Sequence, residues 1–154
     1  MADHVAVMRD GRIVQTGTPV DVYQWPVDEW SARFLGDAVV LPGRRIAQEG
    51  WRDSAESALG RVPLADGFAH HPGPEVAVFC RPEQVTRIHG ATGTAGVAVV
   101  ASVTTIRFQG PDAIVTLDVD GHTVHARWPT SELPAVADEV HVAVNGTVLA
   151  YAPT

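Results

Sequence analysis

The chain has 154 residues, 45% of them hydrophobic and 19% charged, which is enough apolar material for a real core in one domain, or in a small domain with an appended segment. Its formal charge of −7, with acidic residues spread along the whole length, argues against nucleic acid as a partner, because phosphate binding needs a concentrated basic surface. All 11 basic residues are arginine, and the absence of lysine excludes a phosphate-loop lysine, a Schiff-base lysine and a Ser-Lys pair.

The first element is a hairpin. Val5 to Met8 is a short apolar run, Asp10-Gly11 supplies a turn that tolerates positive φ, and Ile13-Val14 begins the return strand. A lone two-stranded unit is marginal in water, so these strands are expected to end a larger structure. Thr18-Pro19 then reads as a helix start, with Thr18 as N-cap and Pro19 at the first helical position, for a helix from Pro19 to about Trp25. Pro26 interrupts it. A second helix is expected from about Val27 to Leu35, placing Trp30, Phe34 and Val27 on one packed face, with Gly36 as its stop.

From Asp37 the texture changes, and a boundary is expected there. Ala38 to Leu41 reads as a strand, Pro42-Gly43 as a turn, Arg44 to Asp66 shows no strong period, and Ala65 to Glu75 reads as a surface loop. His70-His71 lies in that loop without a third metal ligand at a fixed spacing. Val76 to Cys80 is a strand, and its lone Cys80 reads as a buried structural thiol. At Arg81-Pro82-Glu83 the proline lacks a ladder donor and extends the residue before it, so the chain should bend or switch edge, with Arg81 and Glu83 as an exposed local ion pair. Gly90, Gly93 and Gly96 read as a flexible connector, not as a dinucleotide loop.

Five further strands follow, Val97–Phe108, Ala113–Val119, His122–Trp128, Glu139–Val144 and Thr147–Tyr151, separated by Gly110-Pro111-Asp112 and by two hairpin turns, Asp120-Gly121 and Asn145-Gly146. Val115, Leu117 and Val119 alternate with polar residues, and His122 and His125 fall on opposite faces, unable to share a metal. Five short strands with a long first one predict a small barrel of the OB kind. No apolar run exceeds a stretch such as Val97 to Ala101, far below the roughly 18 residues of a membrane helix, and the first residues lack the features of a secretory signal, so a cytosolic location is expected.

Ala2-Asp3, Ala6-Val7-Met8, Gly11-Arg12-Ile13, Gln15, Gly17-Thr18-Pro19, Tyr23, Pro26 and Phe34-Leu35-Gly36 resemble the last part of the ATP-binding subunit of ABC importers. Leu41-Pro42-Gly43, the strand ending in Arg81-Pro82-Glu83, and Phe108-Gln109-Gly110 resemble the transport-associated OB (TOBE) domain those subunits carry. The resemblance implies residues 1–36 as the end of an ATPase domain (hairpin plus two helices) and 37–154 as an OB-like regulatory domain. The junction between Gly36 and Leu41 leans toward the iron or polyamine importers, within a type that also serves sulfate and sugars. The family's ATPase motifs would all precede Met1, and His4 is not its switch histidine, so the resemblance implies no catalytic residue, cofactor or metal in this chain, with ATP and Mg²⁺ belonging to the parent subunit. It further implies a homodimer through the OB-like domain, a pair of membrane permeases as the parent's partners at the inner face of the membrane, and Arg81, Pro82, Glu83, Phe108 and Gly110 as regulatory or interface candidates.

A second expectation is a free-standing small-anion or solute-binding protein on the same barrel, with Arg81, Arg107 and Arg127 as bidentate donors to an oxyanion. An enzyme is the least supported class. The chain has no Gly-x-Ser-x-Gly, His-Glu-x-x-His or Cys-x-x-Cys motif, and Asp118 with Asp120 reads as a solvated strand face.

Overall fold

The structure is a computed structural model that describes residues 2–47, 53–69, 73–89 and 98–153. The His70-His71 pair and the glycines at 90, 93 and 96 lie outside them. The chain divides into two compact units, Met1–Ala38 and Val39–Thr154.

In the first unit β1 (Val5–Arg9) and β2 (Arg12–Gly17) pair antiparallel. Asp10 and Gly11 take φ of 50° and 76°, the two positive values of the hairpin turn that matches strand twist. The register jumps from Val7 opposite Gln15 to Met8 opposite Ile13, which leaves Val14 as a bulge residue. Helix α1 (Pro19–Gln24) opens as expected: the Thr18 hydroxyl accepts the Asp21 N–H at 3.2 Å and donates to Asp21 Oδ2 at 2.7 Å. Helix α2 (Glu29–Leu35) starts later than expected because Asp28 is its N-cap, Oδ1 accepting the Ser31 N–H at 2.7 Å. Gln15 ties the hairpin to the inter-helix segment, its Nε2 donating to the Trp25 carbonyl at 2.8 Å and its Oε1 accepting the Val27 N–H at 3.0 Å.

The packed face expected on α2 needs correction. Phe34 and Val27 are 63% and 43% exposed, and the helix buries Ser31 and Ala32 instead. Two turns of helix bury only a narrow stripe, and here it is the small residues that occupy it. Trp30 and Phe34 form a surface stack, centroids 5.0 Å apart, with the Arg9 guanidinium 5.0 Å from the Trp30 ring centre.

The second unit is two five-stranded sheets. The closed barrel contains β3 (Val39–Ile46), β4 (Ser54–Ser57), β5 (Gly60–Ala69), β6 (Glu75–Cys80) and β12 (Val148–Tyr151), in the order β12-β5-β4-β3-β6, with β12 parallel to β5. The other sheet holds β7 (Val85–Ile88), β8 (Val99–Phe108), β9 (Asp112–Val119), β10 (His122–Pro129) and β11 (Glu139–Val144), in the order β10-β9-β8-β11-β7. The expectation of a mainly β chain with a small closed barrel, a hairpin and two short helices therefore stands. Which strands build that barrel does not: it is made largely from residues 39–80, and of the five C-terminal strands only β12 joins it.

Four local expectations fail. Pro42-Gly43 is no turn but the middle of β3, where Gly43 is required by close approach: a Cβ there would lie 2.6 Å from Val78 Cγ2 and 3.0 Å from the Glu56 carbonyl oxygen. The unpatterned stretch after Arg44 contains β4 and β5, and the supposed loop from Ala65 continues β5 to Ala69. Asn145-Gly146 closes no hairpin, because β11 and β12 belong to different sheets. By contrast, Asp120-Gly121 is a hairpin turn, with φ of 51° and 79°.

Exposed residues of opposite charge face one another across the barrel's ladder. Glu75 pairs with Arg44, Arg44 with Glu56, and Glu56 with Arg61, an exposed row of alternating sign across β6, β3, β4 and β5. One apolar cluster then joins the sheets, including Leu41, Val62 and Val78 of the barrel and Val103, Val115, Leu117 and Val142 of the second sheet. Trp128 draws the two end strands of the second sheet together, its buried indole N–H donating to the Val85 carbonyl at 2.7 Å. Trp128→Phe should leave that carbonyl unsatisfied at a cost of about 1–3 kcal/mol, read as a lower urea midpoint with an unchanged denaturant slope.

Candidate functional site

The sequence-derived candidates fall in two places within the second unit. The first is the corner after β6. Pro82–Gln84 forms one 3₁₀ turn, so the expected change of edge at the proline is present: β6 belongs to the barrel and β7 to the other sheet. Pro82 is buried and Glu83 exposed. Arg81 was expected at the surface, yet it is only 3% exposed, with its guanidinium 4.9 Å from the Phe79 ring centre. Phe79 in turn lies 6.0 Å from Tyr151. A buried guanidinium over an aromatic face organises the corner.

Gln84, which the sequence reading passed over, ties several segments of this corner together. Its Oε1 accepts the Arg81 N–H at 3.0 Å, its Nε2 donates to the carbonyls of Asn145 at 3.1 Å and Thr147 at 2.9 Å, and its own carbonyl accepts the Asn145 N–H at 2.7 Å. The available signal was proline at the first helical position with glutamine two residues on, a capping arrangement.

The second place is the tip between β8 and β9. Gly110 takes φ of 95°, the Gln109 N–H donates to the Asp112 carbonyl at 2.9 Å, and Thr130 braces the turn from outside, its hydroxyl to the Gly110 carbonyl at 2.5 Å and its N–H to the Pro111 carbonyl at 3.0 Å. Phe108 stands 67% exposed on this rigid base. Arg107, Ile114 and Arg127 share one lateral row across β8, β9 and β10, so both arginines lie on one face, and Arg127 pairs with Asp112 at 3.2 Å. Arg81 belongs to the other place. His125 lies on that outer face beside Thr116, Nδ1 to Oγ1 3.3 Å, while Val124 and Ala126 point into the core.

Among the described residues no group of three or more His, Cys, Asp or Glu side chains could hold a metal ion, and no helix is long and apolar enough to cross a membrane. Cys80 is buried, as expected, and its thiol is pushed up to about 12, first by burial and then by the nearby Glu83 charge.

No protein-family model matches the chain. Over 97% of its length it is 36% identical to the Fe(3+) ions import ATP-binding protein FbpC 2 of Rhodococcus jostii, and over 93% it is 36% identical to the FbpC of Streptomyces avermitilis. The chain is homologous to the ATP-binding subunits of ABC importers. It spans 41% and 38% of the length of those two relatives. A shorter match, 42% identical over 54% of the chain, reaches the spermidine/putrescine import ATP-binding protein PotA of Ruegeria pomeroyi. Among solved structures, the cytoplasmic molybdate-binding protein ModG with molybdate bound superposes at a TM-score of 0.59 and 19% identity, covering 75% of this chain and 96% of that one. The likeness shows the OB-type fold expected from the sequence.

The Cys80 thiol carries a pH prediction. The unfolded thiol ionises near its ordinary value of 9.0 and the folded one only near about 12. Its contribution to stability is thus complete below pH 9 and is lost as the pH climbs toward 12, by at most about 1.4 kcal/mol per pH unit. Urea midpoints should fall more steeply above pH 9 for the wild type than for Cys80→Ala, and a thiol reagent should label Cys80 only in the unfolded chain.

Proposed function

We propose that this chain is a non-catalytic regulatory and dimerisation module of an importer ATP-binding subunit, supporting ATP-driven uptake of ferric iron or a polyamine. The observation that carries the reading is the homology: 36% identity over 97% of this chain to an Fe(3+) import ATP-binding protein of which it spans only 41%. In this reading residues 1–36 are the end of the ATPase domain and 37–154 the regulatory domain. ATP and Mg²⁺ are handled by the parent subunit, which acts with a permease pair at the inner face of the membrane.

The two candidate places take different roles. The braced tip presents Phe108 and Gly110, a rigid exposed aromatic of the kind that anchors interfaces, and it is our candidate for the surface that meets a second copy. Arg81 and Pro82 form the corner's buried base, with Glu83 at its surface. A second reading, binding of a small oxyanion, is favoured by the fold shared with molybdate-bound ModG and by Arg107 and Arg127 on one face.

Light scattering coupled to gel filtration should show a dimer that Phe108→Asp dissociates. Calorimetry should give no heat with Mg²⁺-ATP, and micromolar ATP binding by the chain itself would refute the non-catalytic reading. Titration with molybdate, sulfate and ferric citrate separates the alternatives: a dimerisation module gives no heat, whereas saturable heat lost in Arg107→Ala establishes the second reading.

A further inference from the structure

Asn145 is the chain's only asparagine, and it is followed by glycine. Asparagine is thermolabile because the main-chain nitrogen of the next residue can attack the side-chain amide carbon, and a glycine there has no Cβ to obstruct the approach. The reactants are both at hand. Asn145 is exposed, Gly146 takes φ of 80°, and neither the Asn145 carboxamide nor the Gly146 N–H has a hydrogen-bond partner among the described residues.

What opposes the reaction is the latch at Gln84. Bringing the Gly146 nitrogen onto Asn145 Cγ requires the peptide plane between the two residues to rotate about the Asn145 ψ. That plane carries the Asn145 carbonyl, which Gln84 Nε2 holds at 3.1 Å, while the Asn145 N–H on the other side of the rotation is held by the Gln84 carbonyl at 2.7 Å. The Thr147 carbonyl, bound by the same Nε2 at 2.9 Å, fixes the chain just beyond. One residue therefore clamps both ends of the bond that must turn.

We propose that Asn145 is a deamidation site gated by Gln84. When the latch opens, the Gly146 nitrogen forms a bond to Asn145 Cγ and loses its proton as the side-chain amide leaves as ammonia, giving a cyclic imide. Water then opens one of the two imide carbon–nitrogen bonds, giving aspartate or isoaspartate, with no oxidant or reductant involved. The isoaspartate route inserts the side-chain methylene into the main chain, so the carbonyls of residues 145 and 147 no longer match one amide and the latch cannot re-form. Opening of this joint is recorded covalently and in one direction.

Peptide mapping by mass spectrometry during incubation at mildly alkaline pH tests this, with isoaspartate read by isoaspartyl methyltransferase labelling and Asn145→Gln as the control without mass gain. In Gln84→Met, which keeps the stem and loses the amide, and in Gln84→Glu, which loses only the donors, deamidation at residue 145 should run about five- to thirty-fold faster than in wild type while circular dichroism stays native. Wild-type rates in folded chains equal to those of the folded variants would overturn the role of Gln84. The wild type supplies an arm that needs no variant: the folded chain should deamidate at least about ten-fold more slowly than the same chain in urea, and equal rates would overturn the proposal.

Discussion

One carboxamide holds the place where the two sheets of the larger unit exchange strands. The chain passes from the barrel to the second sheet between β6 and β7, and returns between β11 and β12. Neither crossing has a ladder of its own, so main-chain groups there need partners from elsewhere. Gln84 supplies them for both crossings at once, because an amide is donor and acceptor together and can face two segments. Apolar burial makes the sheets cohere, but this polar join ties the two passages of the chain to each other. The smaller unit uses the same device: Gln15 reads a carbonyl and an N–H on either side of Pro26, where the break between two short helices leaves backbone groups without helical partners.

Legibility in the sequence followed locality. The hairpin at Asp10-Gly11 and the helix start at Thr18-Pro19 are settled by residues adjacent to each other, and both were readable. So was the alternation along β9 and the change of direction at Pro82. The strands β4 and β5 were not, because Ser54-Ala55-Glu56-Ser57 offers one apolar side chain and is held in place by its ladders to β3 and β5, which one short stretch of sequence does not reveal. Gly43 looked like a turn residue when it is a concession to Val78, which lies more than thirty positions further on. Asn145-Gly146 has hairpin chemistry, yet the strands it joins are claimed by different sheets. The family likeness succeeded where periodicity could not, since it draws on ordered motifs whose three-dimensional reason is not visible in one sequence.

The candidate residues divide in the same way. Phe108 and Gly110 became candidates through the resemblance of Phe108-Gln109-Gly110 to a family motif, and they lie at a braced turn. Arg81 was found as part of a motif, but its burial against Phe79 is a tertiary fact. The arginines also explain how an acidic chain can lack lysine without lacking polar organisation. Arg9 covers Trp30, Arg45 pairs with Asp53, Arg61 donates to Ser54, Arg87 reaches the Glu132 carbonyl, and Arg127 holds Asp112. Planar, many-donor guanidinium groups are employed here as internal fasteners, a task the point charge of an ammonium performs less well.

The barrel closes through β12, which lies between β5 and β6 although it is separated from them in sequence by every strand of the second sheet. During synthesis β3 to β6 emerge well before β12, as an open ribbon whose outer edges wait for a partner still inside the ribosome. They are covered meanwhile by nothing better than themselves, and the long loop closure makes the final insertion slow. Those two waiting edges each carry an exposed charged side chain of the row, Arg61 on β5 and Glu75 on β6, so the strands that stay unpaired longest are not wholly apolar on their outer face.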